Sequence, residues 1–272
     1  MFAALRIASR LPLLCLYPVG RLMMRLALVL APSRRRVAES NLAAVFPGPG
    51  AERRALIRRF YAAAADIAME SVRLLTMPKT QLDTRLCLEG TEVLDGGNAL
   101  VLAAHQGNML WAVGALTDAV RAPVFVVYKP PHGPLLHRML NAIGRRFDNG
   151  MLVPLRDTHR TVFRCREERG VLVLVADQQP GGAERREVEF CGRRTAFFAG
   201  PDRIGRALGW PVYYLSCRRT GRGRYLCRIE KLCEPPYEEG DAGIVKRYAA
   251  RLETDIRSAP EDWLWFHKRW KD

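Results

Sequence analysis

Four short runs in this chain are apolar at nearly every position, and they leave few folds open. They are residues 99–104 (ALVLAA), 124–128 (VFVVY), 170–176 (GVLVLVA) and 211–217 (PVYYLSC). A strand with one face in water alternates apolar and polar residues, whereas a continuous apolar run is buried on both faces. Between these runs, residues 107–120, 134–143, 158–168 and 201–208 read as helices, the last closed by Gly209. Further strands are predicted at 86–88, 150–154, 188–190 and 224–233. Strands alternating with helices predict an α/β fold, a mostly parallel central sheet covered by helices on both faces. Residues 36–45 and 51–75 read as helices split by the breaker Phe46-Pro47-Gly48-Pro49-Gly50, and 243–258 as the last helix. No internal repeat or low-complexity linker interrupts the chain. The expected organisation is therefore an α/β domain over 36–272, preceded by a membrane-associated helical segment over 1–35.

That leading segment is strongly apolar but carries Arg6, Arg10, Arg21 and Arg25. Its charge-free runs are about ten residues, short of the ~20 needed to span a bilayer. Pro12 and Pro18 are expected to interrupt regular helix. No small-residue cleavage site follows, which argues against a removed signal peptide. Arg21 and Arg25 share one helical face, with leucine and methionine opposite. The expectation is a helix lying in the membrane plane, its arginines reaching phosphates, with Ser33-Arg34-Arg35-Arg36 adding a basic patch. The whole chain has 43 Lys and Arg against 28 Asp and Glu, a formal charge of +15. Such an excess calls for an anionic partner: a membrane surface, an acidic protein or nucleic acid. No recognised nucleic-acid motif accompanies the charge, so nucleic acid is disfavoured. The seven cysteines are irregularly spaced without a C-x-x-C pair, which disfavours zinc ribbons and thioredoxin-like sites and leaves reduced thiols as the expectation.

Ligands of open α/β sheets bind beyond the carboxyl ends of the strands. Two polar clusters fall there: His105-Gln106-Gly107-Asn108, and Asp177-Gln178-Gln179-Pro180-Gly181-Gly182. His105 leaves a buried strand, whereas His132, His137, His159 and His267 fall in loops, on helices or in the tail. A histidine without a Ser or Cys nucleophile beside it points to general-base activation of the substrate, such as a hydroxyl attacking an acyl thioester. Gly107-Asn108 begin a helix whose N-terminal amides can hold an oxyanion or a phosphate. Arg146 and Arg156, with Lys129 behind them, are candidates for phosphate contacts. Arg185, Arg186, Arg193 and Arg194 surround the Asp177-Gln178 loop and are candidates of the same kind. The aromatic stretch 263–266 reads as packing.

These residues resemble a family. His105-Gln106-Gly107-Asn108 at a strand–helix junction is similar to the H-x-G-N-W-E region of bacterial lipid A late acyltransferases, the lauroyl/myristoyl type within the glycerol-phosphate and lysophospholipid acyltransferase superfamily. Residues 35–47 (RRVAESNLAAVFP) resemble its R-x5-N-L-x3-F-P entry. Tyr128-Lys129-Pro130, Pro134-Leu135-Leu136 and Arg145-Arg146-Phe147 resemble its Y-R-P…N-P-x-L…R block. Asp177-Gln178, Val188-Glu189-Phe190-Cys191-Gly192 and Thr195-Ala196 resemble its D-Q…V-x-F-F-G…T-A block. Residues 260–270 (PEDWLWFHKRW) resemble its closing P-E-x-W-x-W-x-H-x-R-W/F. The resemblance implies an inner-membrane enzyme, active on the cytoplasmic side, that moves a fatty acyl chain from acyl carrier protein or acyl-CoA to a hydroxyl of a lipid acceptor. It implies no metal or organic cofactor, with His105 as catalytic base. Asn108, Lys129, Arg146, Arg156 and Gln178 are the expected substrate-binding set.

The chain departs from the family at the chemistry. The motif has Asp or Glu five residues after the histidine, and here that residue is Leu110. Leucine cannot orient an imidazole. The favoured substitute is Asp177, a catalytic carboxylate delivered from the neighbouring strand end. The alternative is His105 acting unaided, or with Asn108 or a main-chain carbonyl fixing its tautomer. A third reading is a relative that binds lipid or acyl carrier without transfer. Glu70 is a further candidate if the long helix covers the site, although a surface position is the simpler expectation. An acceptor from another lipid or pigment pathway is the alternative to a lipid A-type one.

Overall fold

The structure, a computed structural model, describes residues 1–272 except 97, 132, 148, 168, 181–183, 239–242, 271 and 272, and the side chains of 166 and 167. His132, Gly181 and Gly182 therefore lie outside the described residues. Helices α1 (Phe2–Ala8), α2 (Leu13–Leu30), α3 (Pro32–Val45) and α4 (Gly50–Arg73) lead. They are followed by α5 (Lys79–Asp83), β1 (Leu86–Glu89), β2 (Ala99–Ala103), α6 (Met109–Ala119), β3 (Val124–Tyr128), α7 (Pro134–Gly144), β4 (Gly150–Pro154), α8 (Thr158–Glu167) and β5 (Val171–Val175). Strands β6 (Arg185–Phe190) and β7 (Arg193–Phe198) precede α9 (Gly200–Leu208), β8 (Val212–Gly221), β9 (Arg224–Cys233) and α10 (Gly243–Ser258).

Seven strands form one sheet in the order β1-β9-β8-β2-β5-β3-β4. Every pairing in it is parallel except β8–β9, so the expected mostly parallel sheet is found. The apolar runs feed two cores. Ala99, Val101 and Ala103 of β2 join Trp111, Leu116, Met139 and Ile143 from α6 and α7. Leu100 and Leu102 face the other way, toward Tyr248 and Leu252 of α10 and Phe190 and Phe197 of β6 and β7. Burial on both sides is why β2 has no polar alternation. Strand β7 was not anticipated. Two arginines lead it, and its Arg193-Arg194 read as a charge patch, yet Thr195 and Phe197 alternate inward against β6.

The N-terminal segment corrects one expectation, that Pro12 and Pro18 interrupt regular helix. Helix α2 is continuous for 18 residues, with Pro18 inside it. Pro12 precedes the first helical residue, where its fixed φ (−56°) is harmless. Pro18 lies in the second turn and forfeits only the bond to the Leu14 carbonyl. At ~1.5 Å per residue the helix reaches about 27 Å, close to the ~30 Å of a bilayer's hydrocarbon core. By length and composition it can cross a membrane, which the count of charge-free residues had argued against. Leu13, Leu16, Tyr17 and Gly20 are its buried residues, and they pack toward α4. A Cβ at Gly20 would sit 2.4 Å from the Met69 side chain, so only glycine permits this approach. Leu14, Leu22, Met23, Leu26, Val29 and Leu30 remain exposed.

Candidate active site

Register places the two polar clusters side by side. Ala103 of β2 pairs with Val175 of β5 in parallel, and the Ala176 N–H continues the ladder to the Ala103 carbonyl at 3.1 Å. His105 and Asp177 each lie two residues beyond that pair. His105 Nδ1 is 2.7 Å from Asp177 Oδ1, and the His105 backbone N–H donates to Asp177 Oδ2 at 3.0 Å. Trp263 Nε1–H donates to the same Oδ2 at 2.8 Å. The carboxylate is buried, with 3% of its side chain exposed, while His105 keeps 36% exposed. Gln178 Nε2 lies 3.3 Å from His105 Nε2. The arrangement holds Nδ1 on the acid and leaves Nε2 as the outward-facing nitrogen.

The electrostatics follow from this geometry. Burial pushes the His105 pKa down, but the Asp177 charge and hydrogen bond outweigh it, so the net shift is upward from 6.5. Burial pushes Asp177 up, yet His105, followed by the backbone N–H of His105 and the Trp263 indole, brings it below the usual carboxylate value. Leu110 lies in the first turn of α6 and packs, partly buried, against the core. Among the expected sources of an acid, Asp177 is the one within direct reach of the imidazole.

A strap from residues 262–267 closes over the turn. The Leu264 N–H donates to the His105 carbonyl at 2.9 Å, and the Gly107 N–H to the Asp262 carbonyl at 2.9 Å. Asn41 of α3 holds the strap by donating to the Trp265 and His267 carbonyls at 2.9 and 2.8 Å. Gly107 has φ +59°, and a Cβ there would lie 2.5 Å from the Cys217 carbonyl oxygen. Sequence reasoning missed the strap's part in the site. Trp263 and Trp265 do pack, but the Trp263 N–H also needed a buried partner, which was the available clue.

The remaining candidates divide. Asn108 is fully buried; its Oδ1 accepts from Trp111 N–H as the cap of α6, and its Nδ2 donates to Glu70 Oε2 at 3.1 Å. Both polar atoms of its side chain are therefore engaged in holding the turn. The Gly107 and Trp111 amides are already used, so the helix end offers fewer free donors than expected. Glu70 is buried, contrary to a surface position, and does not contact His105. Lys129 is exposed one residue past β3, and Arg156 two residues past β4, with 85% of its side chain exposed. Both share the carboxyl edge with the dyad, on successive strands at ~4.8 Å spacing. Arg146 does not join them. It follows α7 toward the opposite edge, where its guanidinium donates to the Leu74 carbonyl at 2.6 Å and to the Met77 carbonyl. Arg185 and Arg194 pair with Glu187, Arg186 with Glu184, and Arg193 lies over the Trp270 ring. A cavity of about 360 Å³ beside the Asp177 loop is lined by Gln179, Arg185, Arg194 and Arg269 among others. A larger one, about 540 Å³, touches Val120 and Asn149 at the amino edge, away from the dyad. Among the described residues, no group of three or more His, Cys, Asp or Glu could hold a metal ion.

Fold and site together define a class: an open, mostly parallel α/β enzyme with a histidine–aspartate dyad at the carboxyl edge of its sheet and an apolar helix packed nearby. Over residues 1–272 the chain matches, and belongs to, the family described as bacterial lipid A biosynthesis acyltransferase. It is an acyltransferase that places an acyl chain on a lipid acceptor. A similar protein is the lipid A biosynthesis lauroyltransferase of Escherichia coli (strain K12), 23% identical over 274 residues, covering 96% of this chain and 87% of that protein. Among solved structures, the 1-acyl-sn-glycerophosphate (LPA) acyltransferase of Thermotoga maritima aligns with 91% of this chain and 99% of its own, at TM-score 0.41 and 14% identity.

Proposed function

We propose that the protein transfers a fatty acyl chain from acyl carrier protein to a hydroxyl of a lipid A-type acceptor, with His105 as general base. The observation that carries this reading is the 2.7 Å contact between His105 Nδ1 and Asp177 Oδ1. Nδ1–H donates to the Asp177 carboxylate, which stays ionised and leaves the lone pair on Nε2, facing an incoming hydroxyl. Nε2 takes the hydroxyl proton as the oxygen attacks the thioester carbonyl. The tetrahedral intermediate collapses by breaking the C–S bond, and the imidazolium returns the proton to the departing thiolate. The new ester and the free thiol balance the reaction. Asp177 therefore does from β5 what position 110 does in the family motif. Lys129 and Arg156 supply positive charge on the same edge for an acidic carrier or a phosphorylated acceptor. In this reading the protein works at the cytoplasmic face of the bacterial inner membrane, held by α2 and the basic Arg34-Arg35-Arg36, and needs no cofactor.

The test is transfer of labelled acyl chains from loaded acyl carrier protein to a lipid A precursor. His105→Ala should abolish transfer. Asp177→Asn should lower kcat/KM by about 10³–10⁴-fold, as loss of an orienting carboxylate does elsewhere. Parental rates in the Asp177 variant would remove it from the mechanism.

A further inference from the structure

Glu70 is a fully buried carboxyl group that the proposed chemistry does not use. The three donors to its carboxylate come from three different elements. Tyr17 of α2 donates to Oε1 at 3.0 Å. Tyr225 of β9 donates to Oε2 at 2.5 Å, and Asn108 at the head of α6 donates to Oε2 at 3.1 Å. The Glu70 main-chain carbonyl accepts from Trp111 Nε1 at 3.1 Å. One turn earlier on the same face of α4, Asp66 takes Arg219 at 2.9 Å and Arg222 at 2.6 Å, both from the β8–β9 hairpin, and Arg21 of α2 at 3.5 Å. Arg222 also lies over the Tyr17 ring, 3.8 Å from its centre. This face of α4 thus gathers the membrane-facing helix, the hairpin and the start of α6.

Resting on the acyltransferase reading above, we infer that Glu70 is a positioning residue that fixes the His105–Asn108 turn and, through Tyr17, makes that turn depend on where α2 sits. The argument is one of constraint. Asn108 has a single amide: Oδ1 caps α6, so only Nδ2 is left to set the rotation of the side chain, and Glu70 holds it. Gly107, immediately before, is fixed by the Asp262 carbonyl on one side and crowded by Cys217 on the other. His105 leads directly into this turn. A shift of α2 moves Tyr17, and with it one oxygen of the carboxyl group that orients Asn108.

The experiment uses the full chain in lipid nanodiscs. Glu70→Gln removes the charge and leaves one acceptor oxygen for three donors, and should lower kcat about tenfold with both KM values within about twofold, since small misplacements near reacting groups act on the chemical step. Tyr17→Phe, which keeps the packing, should lower kcat about threefold. Asn108→Asp sets one carboxylate against another and should cost at least as much; adding Glu70→Gln to it restores a donor facing an acceptor and keeps a capping residue, so the double variant should recover much of that loss. The indole N–H signal of Trp111, read with ¹⁵N-tryptophan, should move in Tyr17→Phe. Parental kcat per folded molecule in Tyr17→Phe, or a change confined to melting temperature, overturns the inference. If Glu70→Gln does not fold, Tyr17→Phe decides. If the parental protein transfers no acyl chain, the acyltransferase mechanism fails instead, and an unmoved Trp111 signal in Tyr17→Phe still overturns the positioning role.

Discussion

In the proposed mechanism His105 is the general base, and the Asp177 carboxylate holds its pKa above the ordinary histidine value of 6.5. A general base works as neutral imidazole, so kcat/KM should rise with pH through a limb above 6.5. In Asp177→Asn that limb should fall below the parental one, because the raising charge is gone and the lowering effect of burial remains. A pH–rate profile of both proteins checks this; coincident limbs would mean that Asp177 does not set the base. Trp263→Phe keeps the ring and removes the N–H that reaches Asp177 Oδ2. A hydrogen bond to a charged group contributes about 1.5–3 kcal/mol, so turnover should drop by roughly 10- to 100-fold. The sequence named His105 and Asp177 and left their pairing open. Nothing in the residues themselves reports that Ala103 lies opposite Val175, and that register brings the two side chains together. Arg146 shows the reverse problem. A cation near a motif reads as a ligand contact, but the chain leaves it against the main-chain carbonyls of Leu74 and Met77.

The turn after β2 depends on backbone that only glycine adopts comfortably. Gly107→Ala adds the strain of a positive φ, roughly 1–2 kcal/mol, and a contact with the Cys217 carbonyl that must be relieved by movement. Its melting temperature should fall and its turnover fall with it, measured by thermal unfolding and acyl transfer on the same sample. The strands of the main sheet were legible, because burial on both faces writes itself as a continuous apolar run. The continuity of helix α2 is not legible in a segment that carries two prolines. One proline lies ahead of the helix, and the other costs a single hydrogen bond near its start. Strand β7 is hard to read in the sequence because it is short, opens on Arg193-Arg194 and buries only Thr195 and Phe197.

Charge and the apolar face of α2 should make separable contributions to membrane attachment. At ~1 M salt the Debye length is about 3 Å, so attraction between the +15 chain and anionic vesicles should largely vanish. Sedimentation with vesicles should weaken but persist there, and the residue should be lost when Leu22 and Leu26 are changed to Asp. Complete release of the parental protein by salt alone would leave α2 no part in attachment. Stability should also carry the dyad's signature. The raised His105 contributes below 6.5 and loses its share as pH rises through its folded value; the depressed Asp177 contributes above 3.8 and loses its share as pH falls through its folded value. The melting-temperature advantage over Asp177→Asn should therefore peak between these limits and shrink on both sides. The strap has a consequence in time. Trp263 is made 86 residues after Asp177. At roughly 5–20 residues per second a ribosome needs about 4–17 s for that interval. During synthesis α2 leaves the ribosome well before Trp263, so Asp177 lacks its indole donor for that interval, and on the proposed mechanism a nascent chain that has met a membrane through α2 would still be without its full catalytic pair.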